Sequence, residues 1–302
     1  MAEAALAIAG GSTPPPIAEM VARVFEVTDL KPSTRKTYQY AIKHFIAWAA
    51  NRPLDRTILV TYKNELREIP KLSAKTANLY LAAARTVFRQ LFVLGVLPFD
   101  ASKLVRSFEV GAAHKRHPIT DAQVKRAFAY AVKKADTRLV LILNLLLRQG
   151  LRQKEVVDIR VEDFNEQAAT LAILGKGRDD RELVHLHPET VRRLREYLDD
   201  RGVKSGFIFP SRKARGRHIG TAALYRIVQD VHDACRIANS PHGWRKVFTS
   251  KLIEGGMNLL DVQTYTRHRS LQQLTVYADR ISFAKSLPTY YAVFDVDAKE
   301  AT

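Results

Sequence analysis

Residues 139–152 read LVLILNLLLRQGLR. The stretch Leu139–Leu147 is apolar except for Asn144. It is far short of the roughly 20 residues that span a bilayer, so it reads as a helix buried in a core. It runs into Gln149-Gly150-Leu151-Arg152, which sets a cation just past a glycine turn. Upstream, Thr120 caps a helical pattern, TDAQVKRAFAYAVKKA. Downstream, two short alternating patterns, ATLAIL and ELVHLH, flank GKGRDDR, and the natural reading is a hairpin. Helical patterns return over Glu189–Leu198, Ala222–Ile237 and Gly243–Ile253, and shorter segments continue to Tyr277. The expected fold class is mainly α with one small β-hairpin.

The N-terminal part is helical throughout. Residues 1–16 form a flexible leader ending in Pro14-Pro15-Pro16. Four helices are expected after it: Ile17–Phe25, a second capped by Ser33 and reaching Arg52, Ile58–Glu68, and a fourth that opens at Ser73 and stops at Gly95. Tyr38, Ile42, Phe45, Ile46 and Ala49 share one face of the second, and Leu79, Ala83, Val87, Leu91 and Leu94 form a stripe on the fourth. The domains are therefore a helical unit over 17–109, a basic linker over 110–118 and a second unit over 119–302.

The chain has 302 residues and a formal charge of +17. With 46 % hydrophobic residues it can bury a core, and the positive excess calls for a polyanionic partner, nucleic acid above all. The alternative is a solvated basic surface. A single cysteine, Cys235, rules out an internal disulfide framework and fits a reducing compartment, so the expected location is cytoplasmic, at the nucleoid, with no membrane partner. The flank VHDACRIA reads as an amphipathic helix with Cys235 in its packed face.

Chemistry concentrates in a spaced series: Arg152, Lys176, His242, Arg245, His268 and Tyr277. A phenol has a pKa near ~10, so ionising it at neutral pH costs about 4 kcal/mol. Cations around it, with a base to take the proton, make it a usable nucleophile. Phosphoryl transfer rests on positioning and charge neutralisation, which suit arginine forks, a lysine acid and histidines. Taken singly, each residue also fits a bland role: an exposed arginine after a core helix, a turn lysine, an ordinary histidine at a helix start or in a loop, a half-buried tyrosine.

In their joint order these motifs resemble the tyrosine recombinase (phage integrase) family, of the simple two-domain, Xer-like kind. The resemblance is carried by Gly150-Leu151-Arg152 with Glu155, Gly175-Lys176-Gly177, His242-Gly243-Trp244-Arg245, and His268 nine positions before Tyr277. It implies a SAM-like core-binding domain followed by a catalytic domain. It also implies residue roles. Arg152 and Arg245 hold the scissile phosphate. Lys176 protonates the departing 5′ oxygen. His242 assists as base or donor, and His268 bonds a phosphate oxygen. Tyr277 forms a 3′-phosphotyrosyl bond, and Glu155 orients Arg152. No metal and no ATP are needed. The implied partners are duplex DNA with specific recombination sites and a homotetramer bridging two duplexes through a Holliday junction, with any accessory protein unknown. The apolar tail after Tyr277 is expected to fold back or to dock on a neighbouring subunit. A topoisomerase IB-like DNA-relaxing enzyme and a non-catalytic DNA-binding protein of the same fold are the alternatives.

Three positions depart from the common pattern. Arg267 replaces a usual glycine, Trp244 a frequent leucine, and Lys246 a common histidine. Arg267 is expected to crowd the site or to add a phosphate contact. Trp244 is expected to pack in the core.

Overall fold

The computed structural model describes residues 16–110, 118–175 and 180–274. Nearly all of the leader, most of the linker, Lys176 and everything from residue 275 on, Tyr277 and the tail included, lie outside the described residues. The chain divides into two compact units between Ala113 and His114.

The first unit holds α1 (Ile17–Val27), α2 (Pro32–Ala49), α3 (Ile58–Glu68), α4 (Ala74–Val93) and a 3₁₀ turn at Ala101–Leu104. Apolar residues at helical spacing converge on an aromatic centre. Phe45 meets Tyr62 and Phe88 edge-on, with centroids 4.9 Å and 5.6 Å apart. Ser73 caps α4 by accepting from the Thr76 amide at 3.1 Å. Three local expectations need correction. Pro32 enters the first turn of α2, where its missing N–H costs nothing, so Ser33 lies inside the helix rather than at its cap. The helix stops at Ala49, three residues before Arg52 and shortly before Pro53. The buried face of α4 includes Ala83, Val87 and Leu91 of the expected stripe but extends to Ala77, Leu81, Ala84 and Phe88, and Leu94 is 43 % exposed.

The second unit begins with α5 (Asp121–Lys133), opened by a capping box between Thr120 and Gln123. Then come α6 (Thr137–Leu147) and α7 (Gln153–Asp158). Every residue of α6 from Leu139 to Leu147 is buried, as its unbroken apolar run requires. Three antiparallel strands follow: β1 (Phe164–Asn165), β2 (Thr170–Leu174) and β3 (Arg181–His185). The expected hairpin is the β2–β3 pair, in which Glu182 lies opposite Ile173. The two-residue β1 is too short to show an alternating pattern. The unit closes with α8 (Pro188–Arg201), α9 (Thr221–Ala234), α10 (His242–Glu254) and α11 (Leu259–Thr266). The end of α9 comes three residues before Ile237, because Arg236 turns left-handed at φ 53°. Cys235 is buried at that helix end. Among the described residues, no helix is long and apolar enough to cross a membrane.

Candidate active site

Two glycines bring the site's elements into contact. Gly150 has φ 56°, which favours a residue without Cβ. A Cβ there would also stand 2.2 Å from the Phe248 ring on α10. The turn after α6 can therefore lie flat on α10. Gly243 plays the matching part on α10, where a Cβ would approach Asn239 Oδ1 at 2.5 Å. Between them, Trp244 is fully buried, and its indole N–H donates to His232 Nε2 at 2.8 Å. An indole is donor only, so His232 carries its proton on Nδ1 and donates to the Asn239 carbonyl at 3.0 Å. Trp244 is a core residue, as expected, and it anchors the start of α10. Gln149 fixes the turn from the other side. In the amide orientation that satisfies its neighbours, it donates to the His185 carbonyl at 2.9 Å and accepts from the His187 amide at 2.8 Å.

Arg245, next to Trp244, is 2 % exposed. Its Nη1 donates to the Gly150 carbonyl at 2.5 Å, and its Nη2 donates to the Thr266 carbonyl at the end of α11. Arg152, immediately before α7, donates from Nη2 to the Arg267 carbonyl at 3.3 Å. The last carbonyls of a helix lack partners within it and form its negative end, so two guanidinium groups suit them. A guanidinium is a planar fork of N–H donors, so these bonds fix its plane at the helix end.

Glu155, 2 % exposed, holds Arg152 by two hydrogen bonds. Its Oε1 accepts from Arg152 Nη1 at 2.6 Å, and its Oε2 accepts from the Arg152 amide at 2.8 Å. Burial alone would raise its carboxyl, but the Arg267 charge and the Arg152 hydrogen bonds hold it below the ordinary carboxylate value.

Thr266 was not foreseen. Its hydroxyl donates to the Val262 carbonyl at 2.6 Å and lies 2.6 Å from His268 Nδ1, which locks the histidine ring at the end of α11. Burial, then the charges of Arg245, Arg152, His242 and Arg267, push His268 down to about 4. His242 is lowered as well, by desolvation and then by Arg245, Lys246 and Arg152. Both rings are therefore neutral at pH 7, able to accept a proton or, through a ring N–H, to donate to a phosphate oxygen. Among the described residues, no three His, Cys, Asp or Glu side chains come together as a metal site requires.

Arg267 shapes the site through its backbone and through two carboxylate partners. It closes α11 at φ 55°, with the His268 amide on the Gln263 carbonyl and its own amide on the Thr264 carbonyl. That is a Schellman pattern, which explains why glycine suits the position. The side chain is only 7 % exposed and lies between Glu155 and Glu182. The only hint in the sequence was an arginine where a small residue fits.

Arg152, Glu155, His242, Arg245 and His268 thus form one electrostatically coupled group around the end of α11. Lys176 and Tyr277 fall outside the described residues.

Comparisons with known proteins agree on the family. The family model described as "Phage integrase family" matches residues 117–282, and "Phage integrase, N-terminal SAM-like domain" matches residues 17–93. Tyrosine recombinase XerC of Pelobacter propionicus is 27 % identical and covers 87 % of this chain and 89 % of its own. Tyrosine recombinase XerA of Pyrococcus furiosus is 25 % identical over 86 % of this chain and 88 % of its own. Among solved structures, a post-cleavage complex of XerH site-specific recombinase with palindromic difH substrate shares the fold. Its TM-score is 0.70 at 17 % identity, over 90 % of this chain and 83 % of that one. A lambda integrase tetramer bound to a Holliday junction gives 0.68 at 16 % identity, over 85 % and 76 %. With the matched model covering more than half of its length and the arginines, histidines and glutamate gathered at one helix end, this chain belongs to the phage integrase family.

Proposed function

We propose that this protein is a site-specific DNA recombinase that cuts and rejoins duplex DNA through a 3′-phosphotyrosyl intermediate. The observation that carries this reading is the convergence of Arg152, Arg245 and His268 on the last turn of α11, with His242 within their electrostatic reach. A phosphodiester placed there meets two guanidinium forks and two neutral imidazoles. Relatives named tyrosine recombinases, and fold neighbours solved with DNA, support it.

The chemistry balances without a cofactor. The Tyr277 phenol oxygen attacks phosphorus, and His242 receives its proton. The bond from phosphorus to the 5′ oxygen breaks, and Lys176 protonates that oxygen. Arg152, Arg245 and His268 hold the non-bridging oxygens as charge builds. A 5′ hydroxyl from a second duplex then attacks the phosphotyrosine and frees Tyr277. One ester replaces another at each step, so neither ATP nor a metal is required.

Four protomers bridge two duplexes and pass through a Holliday junction, a reading supported by the lambda integrase tetramer bound to a Holliday junction. The tail after Tyr277 couples assembly to cleavage. The enzyme acts in the cytoplasm, at the nucleoid. The formal charge of +17 makes binding strongly salt-dependent.

A nicked suicide duplex bearing the protein's own site, found by footprinting the DNA flanking its gene, tests the reading. The wild-type chain forms a covalent adduct on Tyr277, and Tyr277→Phe binds DNA equally well but forms none. Covalent product from Tyr277→Phe would refute the nucleophile. Relaxation of supercoils without paired sites would instead favour the topoisomerase-like alternative.

A further inference from the structure

We propose that Arg267 is a positioning residue that couples β3, the strand that follows Lys176 in the sequence, to the arginine that grips the phosphate. This rests on the recombinase reading above.

Arg267 is the one residue of the last turn whose backbone and side chain both reach the site's other elements. Its carbonyl accepts from Arg152 Nη2 at 3.3 Å. Its Nη2 donates to Glu155 Oε2 on α7 at 3.0 Å. Its Nε stands 3.2 Å from Glu182 Oε1 on β3, an ion pair that is not aligned as a hydrogen bond. The guanidinium is 7 % exposed, with Glu155 at 2 % and Glu182 at 21 %. One cation therefore separates two carboxylates from different elements. Without it, the tie from α7 to β3 through Arg267 would be lost, and the buried Glu155 would keep one guanidinium fewer.

Glu182 is well placed to carry that tie. It shares the inward face of β3 with buried Val184 and pairs with Ile173 of β2. In the sequence it stands six residues after Lys176, and the segment from Gly175 to Asp180 joins the two strands. Fixing Glu182 against Arg267 fixes the start of β3, a few residues after Lys176, relative to Arg152. A general acid must meet its oxygen to within a fraction of an ångström, and a misplacement of about 1 Å can cost roughly a hundredfold in rate. The left-handed backbone at φ 55° disfavours a side chain at this position, and such strain persists where surrounding structure demands it. Here the demand comes from the two carboxylates.

The test is single-turnover cleavage of the suicide duplex with either an ordinary 5′-bridging oxygen or a 5′-bridging sulfur, whose thiolate leaves without an acid. Glu182→Gln removes the arm to β3 and leaves Arg267 on Glu155. It should slow the oxygen substrate about tenfold or more, cut the sulfur substrate at close to the wild-type rate, and keep DNA affinity and thermal midpoint. Arg267→Gly, which also relieves the backbone, should slow both substrates, the oxygen one more, because Arg152 loses its alignment too. Arg267→Lys should recover part of the loss. Equal slowing of both substrates by Glu182→Gln, or no slowing of the oxygen substrate, would overturn the proposal. If the wild-type chain forms no covalent product on either duplex, the recombinase reading itself fails, and that is read before any variant.

Discussion

Arg236 and Arg267 end α9 and α11 in the same way. Both are left-handed, at φ 53° and 55°. In both, the following amide bonds the carbonyl five residues back: Ile237 to His232 and His268 to Gln263. In both, two neighbouring side chains donate to the last carbonyls. At α9 these are Arg126 on Cys235 and Gln123 on Arg236. At α11 they are Arg245 on Thr266 and Arg152 on Arg267. The main chain thus treats the two ends alike. The side chains differ: that of Arg236 is exposed, while that of Arg267 is buried between two carboxylates. A helix end becomes part of an active site through what its capping side chain touches, and the backbone motif alone does not reveal it.

The largest effect that tests this contrast is expected at Gly150, the other left-handed residue of the site. Gly150→Ala adds backbone strain and a clash with the Phe248 ring, together about 3 kcal/mol of lost stability. Urea unfolding measures it. A loss below about 1 kcal/mol would mean that the turn and α10 are free to separate, and that the site is less tightly packed than its distances indicate.

Next comes Arg267→Gly. Relief of the left-handed strain returns about 1 kcal/mol. Leaving the buried Glu155 with one guanidinium fewer costs about 3 kcal/mol, at the low end for a broken buried pair because Arg152 remains. The DNA-free protein should lose about 2 kcal/mol net. A gain in stability would erase the difference between the two helix ends.

Acid sensitivity separates the two ends again, through the histidine attached to each. The unfolded chain binds a proton on His268 near its ordinary value of 6.5, the folded chain only at about 4. Between those values the unfolded state holds more protons, so stability falls as pH falls. His232, lowered by burial, acts in the same direction. His268→Gln should shrink the loss measured by urea midpoints from pH 7 to pH 4.5. Phosphate at the site favours the protonated ring of His268 and leaves His232 alone. Proton uptake on DNA binding, read by calorimetry in two buffers, should therefore shrink in His268→Gln, with His242 supplying the remainder. Uptake left undiminished would move the phosphate away from this helix end.

Much of this was legible in the sequence, because it is local. The bounds of α3, the caps at Ser73 and Thr120, the buried run of α6 and the β2–β3 pairing follow from periodicity and capping within a few residues. The order and types of the site residues are legible too, as are the Arg152–Glu155 pair one helical turn apart and the core role of Trp244. What was missed is local competition or long-range contact. Proline displaced Ser33 from the cap of α2, and β1 has no pattern to read. The partners of Arg267 lie 112 and 85 positions away in the sequence, at Glu155 and Glu182, a relation that no spacing encodes.

The smallest predicted effect is also the cleanest control. Arg236→Gly removes the same strain as Arg267→Gly but no buried ion pair, since its side chain is exposed. The bonds that Gln123 and Arg126 make there go to backbone carbonyls, which glycine keeps. The variant should be more stable by about 1 kcal/mol, less the extra entropy of glycine in the unfolded chain. Cleavage of the suicide duplex should be unchanged with either bridging atom. A thermal melt and one single-turnover time course suffice. If Arg236→Gly slowed cleavage as Arg267→Gly is expected to, the defect would belong to left-handed helix ends in general, and the bridge from Glu155 to Glu182 would lose its special standing.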